Sequence, residues 1–213
     1  MLYLDYDDNP YCQATLKEKT PMGHSQTQKT KNHERIVRTA AKRFREKGLA
    51  GVGIADLMKE VGLTVGGFYK HFDSRDDLVV EALRYALSTR RGQADAAASG
   101  GPPLTYATLV DDYLSEEHRD HPGSGCVISA LAGDIARSSK RTRALLTEEI
   151  RNGFQLIADL TAGKEQGPAR SGAILTLSAL VGAIELSRAV SDEALSREIL
   201  KTVGELLKKK ACE

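Results

Sequence analysis

A chain of 213 residues, 41% of them hydrophobic, is long enough to bury a full core in one or two domains. Aromatic residues make up only 5% and Trp is absent, so Leu, Ala, Val and Ile dominate the apolar set, which favours a helical protein over a β-sandwich. The net charge of +1 hides a division: residues 29–91 carry fourteen Lys/Arg against eight Asp/Glu, net +6, whereas residues 1–28 sum to −2 and residues 92–213 to −3, so the basic excess is confined to one stretch of the chain.

Residues 1–32 lack helical periodicity and are expected to form a disordered arm, with Met22 a candidate natural start. The run Met22-Gly23-His24-Ser25-Gln26-Thr27 fits a myristoylation pattern, but it is internal and nothing else points to a membrane. Lys29, Lys31 and Arg35 are placed for a DNA backbone or minor groove, with plain solvation the simpler reading. The first helix is expected from about His33 to Lys47, where Ile36, Ala40 and Phe44 recur at steps of four beside Val37 and Ala41.

Ile54, Leu57, Met58 and Val61 then fall at i, i+3, i+4 and i+7, one face of a short helix that Gly62 stops. Thr64 is positioned to cap a second short helix over Val65 to His71, anchored by Phe68 and Phe72. Two short helices joined by a tight glycine turn make a helix-turn-helix, whose second helix enters the DNA major groove. Gly66 and Gly67 let the backbone approach closely, while Thr64, Tyr69, Lys70 and His71 offer hydroxyls and positive charge for phosphates and base edges.

This stretch resembles the DNA-binding domain of the TetR/AcrR family of bacterial transcriptional regulators. The resemblance covers about residues 33 to 80. It is carried by Ala40, Ala41 and Phe44, Gly48, the Ile54–Val61 helix, Gly62-Leu63-Thr64, Gly67-Phe68-Tyr69, His71-Phe72 and Ser74-Arg75-Asp76-Asp77-Leu78. It implies an all-α protein: a helix-turn-helix DNA-binding domain over residues 33–78 and a ligand-binding and dimerisation domain over 79–213. Gly53 departs from a Thr that in the family often caps the second helix and touches phosphate; glycine still caps, without that side chain. Val65 stands where Lys, Arg or Pro is frequent, so readout is expected to lean on flanking residues and DNA shape. The implied DNA-binding set is Gly53, Thr64, Val65, Gly66, Gly67, Tyr69, Lys70, His71 and Arg75, the last placed to meet a phosphate.

Asp73 to Asp77 combines capping side chains with acidic residues and opens a long fourth helix, striped by Leu78, Val79, Ala82, Leu83, Ala86 and Leu87. Gly92 to Pro103 reads as the loop after it. Further helices are expected at Leu104–Arg119, Cys126–Arg137, Ser139–Leu160, Pro168–Val190 and Asp192–Lys209. The Pro168–Val190 helix is apolar around most of its circumference, and the last helix carries a stripe of Leu195, Ile199, Val203 and Leu206. By the resemblance, this pair forms the homodimer interface as an intermolecular four-helix bundle, setting two recognition helices on a palindromic double-stranded operator.

Three cysteines, odd in number and far apart, imply no disulfide framework, and Cys12 and Cys212 are read as incidental. The longest apolar-rich segment, Gly172–Ile184, is too short to span a bilayer, and no basic n-region leads an apolar stretch, so a cytoplasmic protein without membrane contact is expected. Cys126, after Gly-Ser-Gly and opening a helix, is read either as a redox or electrophile sensor like that of a TetR-family subgroup or as a small buried residue. Tyr85, Tyr113, Ile128, Leu131 and Phe154 are cavity-lining candidates by type, with ordinary core packing the plainer reading. His118 and His121 invite a metal, but solvated loop residues explain them better; Glu185 and Arg188 are placed to pair with each other or with a ligand, a structural pair being the plainer reading.

No P-loop, GxSxG, GxGxxG after a strand, CxxC or HExxH occurs, so neither an enzyme nor a cofactor is expected. The leading expectation is a repressor released from operator DNA by an unidentified small-molecule inducer. Two alternatives stand beside it: a thiol switch acting through Cys126, and a helical interaction module without DNA binding.

Overall fold

The computed structural model describes residues 26–98, 103–161 and 166–210, with side chains excepted at 90–98 and 166–169. The described residues form ten helices and no strand. The expectations for residues 1–25, including Cys12 and the Met22 start, and for Cys212 lie outside them.

Helix α1 (Gln26–Lys47) buries Asn32, Ile36, Val37, Ala40, Ala41 and Phe44. It begins seven residues before the expected His33, because its first turns carry no apolar stripe for periodicity to detect. They are exposed, with Gln28 donating to Asn32 Oδ1 at 3.0 Å and Thr30 to the Gln26 carbonyl at 3.1 Å. Gly48 ends α1 at φ 75°, its N–H donating to the Phe44 carbonyl at 2.8 Å. Helix α2 (Ile54–Glu60) closes in a Schellman motif: Gly62, at φ 69°, donates to Lys59 O at 3.0 Å and Leu63 to Met58 O at 2.8 Å.

Helix α3 (Val65–Phe68) is shorter than the expected Val65–His71. Lys70 and His71 donate to the carbonyls of Gly67 and Phe68 at 3.2 and 2.9 Å, a tightened 3₁₀-like continuation that follows two glycines of low helix propensity. Helix α4 (Arg75–Ala98) starts at a Ser74 cap, whose Oγ accepts from Asp77 N–H at 3.1 Å and donates to Asp77 Oδ2 at 2.7 Å. It runs through Gly92 into the expected loop, where four alanines among residues 93–98 favour continuation.

The helix expected over Leu104–Arg119 is two, α5 (Tyr106–Tyr113) and α6 (Glu116–Asp120). Ser115 breaks it: its Oγ donates to the Asp112 carbonyl and accepts from His118 N–H, ending one helix and capping the next. Helices α7 (Val127–Ile135), α8 (Lys140–Thr161), α9 (Gln166–Ala189) and α10 (Glu193–Lys210) lie within two residues of expectation. The cores of α1–α4 and of α5–α10 are continuous, Leu78 to Leu87 on α4 joining Val110, Leu131 and Ile135 in one buried cluster.

By length and composition Arg170–Ala189 is apolar enough to cross a membrane, which corrects the expectation that no segment reaches that length. Within the fold it packs between α8 and α10, with Ala173, Leu177, Leu180, Ala183 and Ile184 buried.

Candidate nucleic-acid interface and effector cavity

The turn and α3 sit on an aromatic base. Phe68, fully buried, lies 5.3 Å from Phe72, and Phe72 in turn stacks on His33 of α1 at 4.7 Å. Above that base the chain presents its outer surface: Thr64, Val65, Gly66, Tyr69 and Lys70 are all exposed, Tyr69 at 66% and Val65 at 49%. A bulky apolar and an aromatic side chain are thus left in water beside a lysine.

A Cβ on Gly66 would meet nothing within 4 Å, and one on Gly67 only ordinary contacts at 3.5 Å or more, so neither glycine is required by internal packing. Their smallness leaves the backbone open to the outside. Thr64 has N-cap backbone geometry but makes no side-chain cap bond, and Gly53 caps α2 by backbone conformation alone.

Three basic groups turn inward. Arg75 donates to the carbonyls of Leu49 and Val52, the latter at 3.2 Å, and its guanidinium lies 5.7 Å from the Phe44 ring centroid, so it clamps the α1–α2 connection instead of meeting a phosphate. Arg35 likewise donates to the Val61 carbonyl at 2.8 Å. His71 is half-buried, its Nδ1 without a hydrogen-bond partner; burial first, then the charges of His33, Lys29 and Lys70, push its pKa below the ordinary 6.5, so it brings no positive charge to DNA at neutral pH.

Beyond the helix-turn-helix lies a cavity of about 270 Å³, walled by α5, α7, α8 and α9. Leu109, Ile128, Leu156, Ile157, Leu177 and Leu180 make it apolar, and Tyr113, Cys126, Glu149 and Asn152 add polar groups. Of the expected lining residues, Tyr113, Cys126 and Ile128 are brought together here. Phe154 and Leu131 pack in the core without lining the cavity, and Tyr85 faces a separate cleft. Cys126 is 5% exposed, opens α7 and donates its N–H to His118 Nε2 at 3.0 Å. His118 Nδ1 donates to the Tyr113 carbonyl at 2.6 Å, so both ring nitrogens serve the fold as a neutral imidazole, not a metal. Arg188 donates to the carbonyls of His118 and Arg119 at 2.6 and 2.9 Å; burial pulls its pKa down, opposed in part by nearby Tyr113 and Cys126.

Sequence reasoning did not anticipate the clasps between the two halves. Asp134 at the end of α7 accepts from Leu49 N–H at 2.7 Å and lies 2.7 Å from where a Cβ on Gly48 would stand. Arg141 at the start of α8 pairs with Asp77 at 2.7 Å, and Ser139 donates to Asp76 at 3.1 Å. Ser74 first and then Arg141 hold the Asp77 carboxyl below its usual range. A mid-helix glycine, Gly153, was the one available signal for the cavity: a Cβ there would lie 3.2 Å from Leu177, so its absence shapes the α8–α9 wall.

A family model for bacterial regulatory proteins of the tetR family matches residues 36–82, the helix-turn-helix and the start of α4. An uncharacterized HTH-type transcriptional regulator of Mycobacterium tuberculosis is 32% identical over 171 residues, 75% of this chain and 85% of that protein. The chain belongs to the TetR family. It is a DNA-binding, helix-turn-helix transcriptional regulator. Among other relatives, the transcriptional repressor KstR2 of Rhodococcus jostii is 31% identical over 134 residues, 62% of this chain and 65% of that one. The match to the regulator YerO of Bacillus subtilis, 30% identical over 91 residues, takes in 41% of this chain and only 32% of that protein. A TetR regulator structure from Chloroflexus aurantiacus superposes with a TM-score of 0.69 over 85% of this chain and 96% of that one, at 22% identity, so the whole two-part helical fold is shared.

Proposed function

We propose that this TetR-family regulator is a homodimeric, cytoplasmic repressor that leaves its operator when a small molecule enters the cavity among α5, α7, α8 and α9. The observation that carries the reading is that the same two helices wall the cavity and hold the DNA-binding half. Helix α7 lines the cavity with Ile128 just after its Cys126 cap and ends in Asp134 on the Leu49 N–H; α8 starts at Arg141 on Asp77 and lines the cavity from Glu149 to Ile157. A ligand that displaces either helix therefore strains a clasp on the reading head, and the operator-bound population falls by the ligand's differential affinity for the two arrangements.

Backbone and side chains of Gly53, Thr64, Val65, Gly66, Gly67, Tyr69 and Lys70 meet the major groove in this reading. The dimer forms through α9 and α10, where Ile174, Leu175, Leu186, Leu195 and Leu206 are 41–62% exposed in the single chain. Repression is supported by the similarity to a protein named as a repressor. The burial of Cys126 in the cavity wall favours a ligand pocket over a surface thiol switch.

The test is selection of binding sites from random-sequence DNA by the purified protein, followed by affinity measurements across salt concentrations. A palindromic site bound by two chains, with steep salt dependence, is expected. Recovery of no common sequence would sink the DNA-reading assignment. For the cavity, Ile128→Trp should leave DNA binding intact while removing the response to any effector found by thermal-shift screening; a full response in that variant would place the effector elsewhere.

A further inference from the structure

The major groove presents hydrogen-bonding edges from every base pair and one kind of methyl group, the 5-methyl of thymine. The side chains that read the other edges are Arg or Lys for guanine, Asn or Gln for adenine and Asp or Glu for cytosine. From Gly62 to Phe72, the turn with α3 and its continuation, Lys70 alone is of these types: the segment has no Arg, Asn, Gln, Asp or Glu. The hydroxyls of Thr64 and Tyr69 suit phosphates as well as bases. What the segment exposes besides is apolar. Val65, the first residue of α3, is 49% exposed, and at the next residue, Gly66, open space lies where a Cβ would stand, so the valine sits beside bare backbone. Tyr69, one turn further, is braced edge-on by buried Phe68 at 5.2 Å between ring centroids. A β-branched side chain in a helix is held close to one χ1 rotamer, so Val65 has little freedom left to lose on meeting a partner.

We propose that Val65 is a specificity-determining residue that selects thymine in the operator by covering its 5-methyl group. The contact requires α3 to lie in the major groove, so it rests on the proposed function above and names the base chemistry read there. Bringing the isopropyl group of Val65 against the methyl removes both from water, a gain that a G·C or C·G pair, which carries no methyl, does not return. An arginine or glutamine at the same place would choose guanine or adenine through paired hydrogen bonds; valine has no donor or acceptor and chooses by apolar contact alone. Lys70 supplies attraction that is indifferent to this choice, because a phosphate contact carries no sequence information.

The test takes the site recovered by selection from random-sequence DNA and replaces each thymine in turn by deoxyuridine, which removes the 5-methyl and keeps the base pairing. At one thymine of each half-site the full chain should bind about fourfold more weakly, the worth of one buried methyl. Losing the methyl also alters base stacking, so the deciding quantity is the coupling with Val65→Ala, an exposed change that should leave the melt in place. The same deoxyuridine should alter the affinity of that variant by less than a factor of about 1.5. Lys70→Ala should weaken the thymine and deoxyuridine sites by the same factor. Selection repeated with Val65→Ala should lose the preference for thymine at that position and keep the rest of the sequence. Tolerance of deoxyuridine at every position overturns the proposal and leaves DNA reading standing. So does an undiminished deoxyuridine penalty in Val65→Ala, which gives the methyl to another residue. Recovery of no common sequence overturns the major-groove seating and the thymine contact together.

Discussion

The reading head and the regulatory half solve opposite problems with the same kind of helix. In the head, short helices α2 and α3 are fixed by a few large side chains, Phe44, Leu57, Met58 and Phe68, each at most 1% exposed, and the outer face is left almost bare of side chain at Gly66 and Gly67. In the regulatory half the long helices α8, α9 and α10 leave a cavity inside and Leu156, Leu186 and Leu206 outside. The head is packed tight beneath an open outer face; the other half encloses space.

The comparison breaks most visibly at Phe68. Replacing it with Ala removes the aromatic base under the recognition turn and should cost about 3–5 kcal/mol in a denaturant melt, with DNA binding lost in parallel. Filling the regulatory cavity instead, as in Gly153→Ala, presses on flexible Leu177 from 3.2 Å and should change stability by no more than ~1 kcal/mol. Equal losses at both sites would mean that the two halves do not differ in packing tolerance.

Arg75 sharpens the same contrast. Because its guanidinium holds two backbone carbonyls of the head, Arg75→Ala should cost roughly 1.5–3 kcal/mol of stability and leave the salt slope of DNA binding unchanged. Lys70→Ala should do the reverse, lowering the slope by about 0.9 with little change in the melt. A slope change at Arg75 would return that residue to the DNA face.

The smallest effect is acid sensitivity. His71 is held neutral in the folded head, its pKa lying below 6.5, so the folded state takes up fewer protons than the unfolded chain once pH drops below that value. Stability should therefore fall as pH decreases from about 7 through 6.5 and level off below the folded-state pKa. His71→Gln should flatten that decline, measured by urea midpoints at successive pH values. Asp77, with its carboxyl held low, acts in a separate window: its contribution is complete above 3.8 and disappears as pH falls further.

What the sequence determined by itself is what neighbours in the chain decide. The stripe from Ile54 to Val61, the stop at Gly62, the cap at Ser74 and the bare surface at Gly66 and Gly67 depend on contacts a few residues apart, so helix-turn-helix and family were legible. The all-helical regulatory half was also legible, from periodicity over long windows. Tertiary structure alone decided where the charges and the space went. Arg75 reads as a cation for phosphate and Arg35 as a backbone or minor-groove contact or a solvated side chain, yet carbonyls of Val52 and Val61, 23 and 26 residues away, accept from them. Asp134 met Leu49 across 85 residues, and the cavity took its wall from four helices. A side chain's type is local, but its partner is chosen by packing, and an empty volume belongs to no single residue.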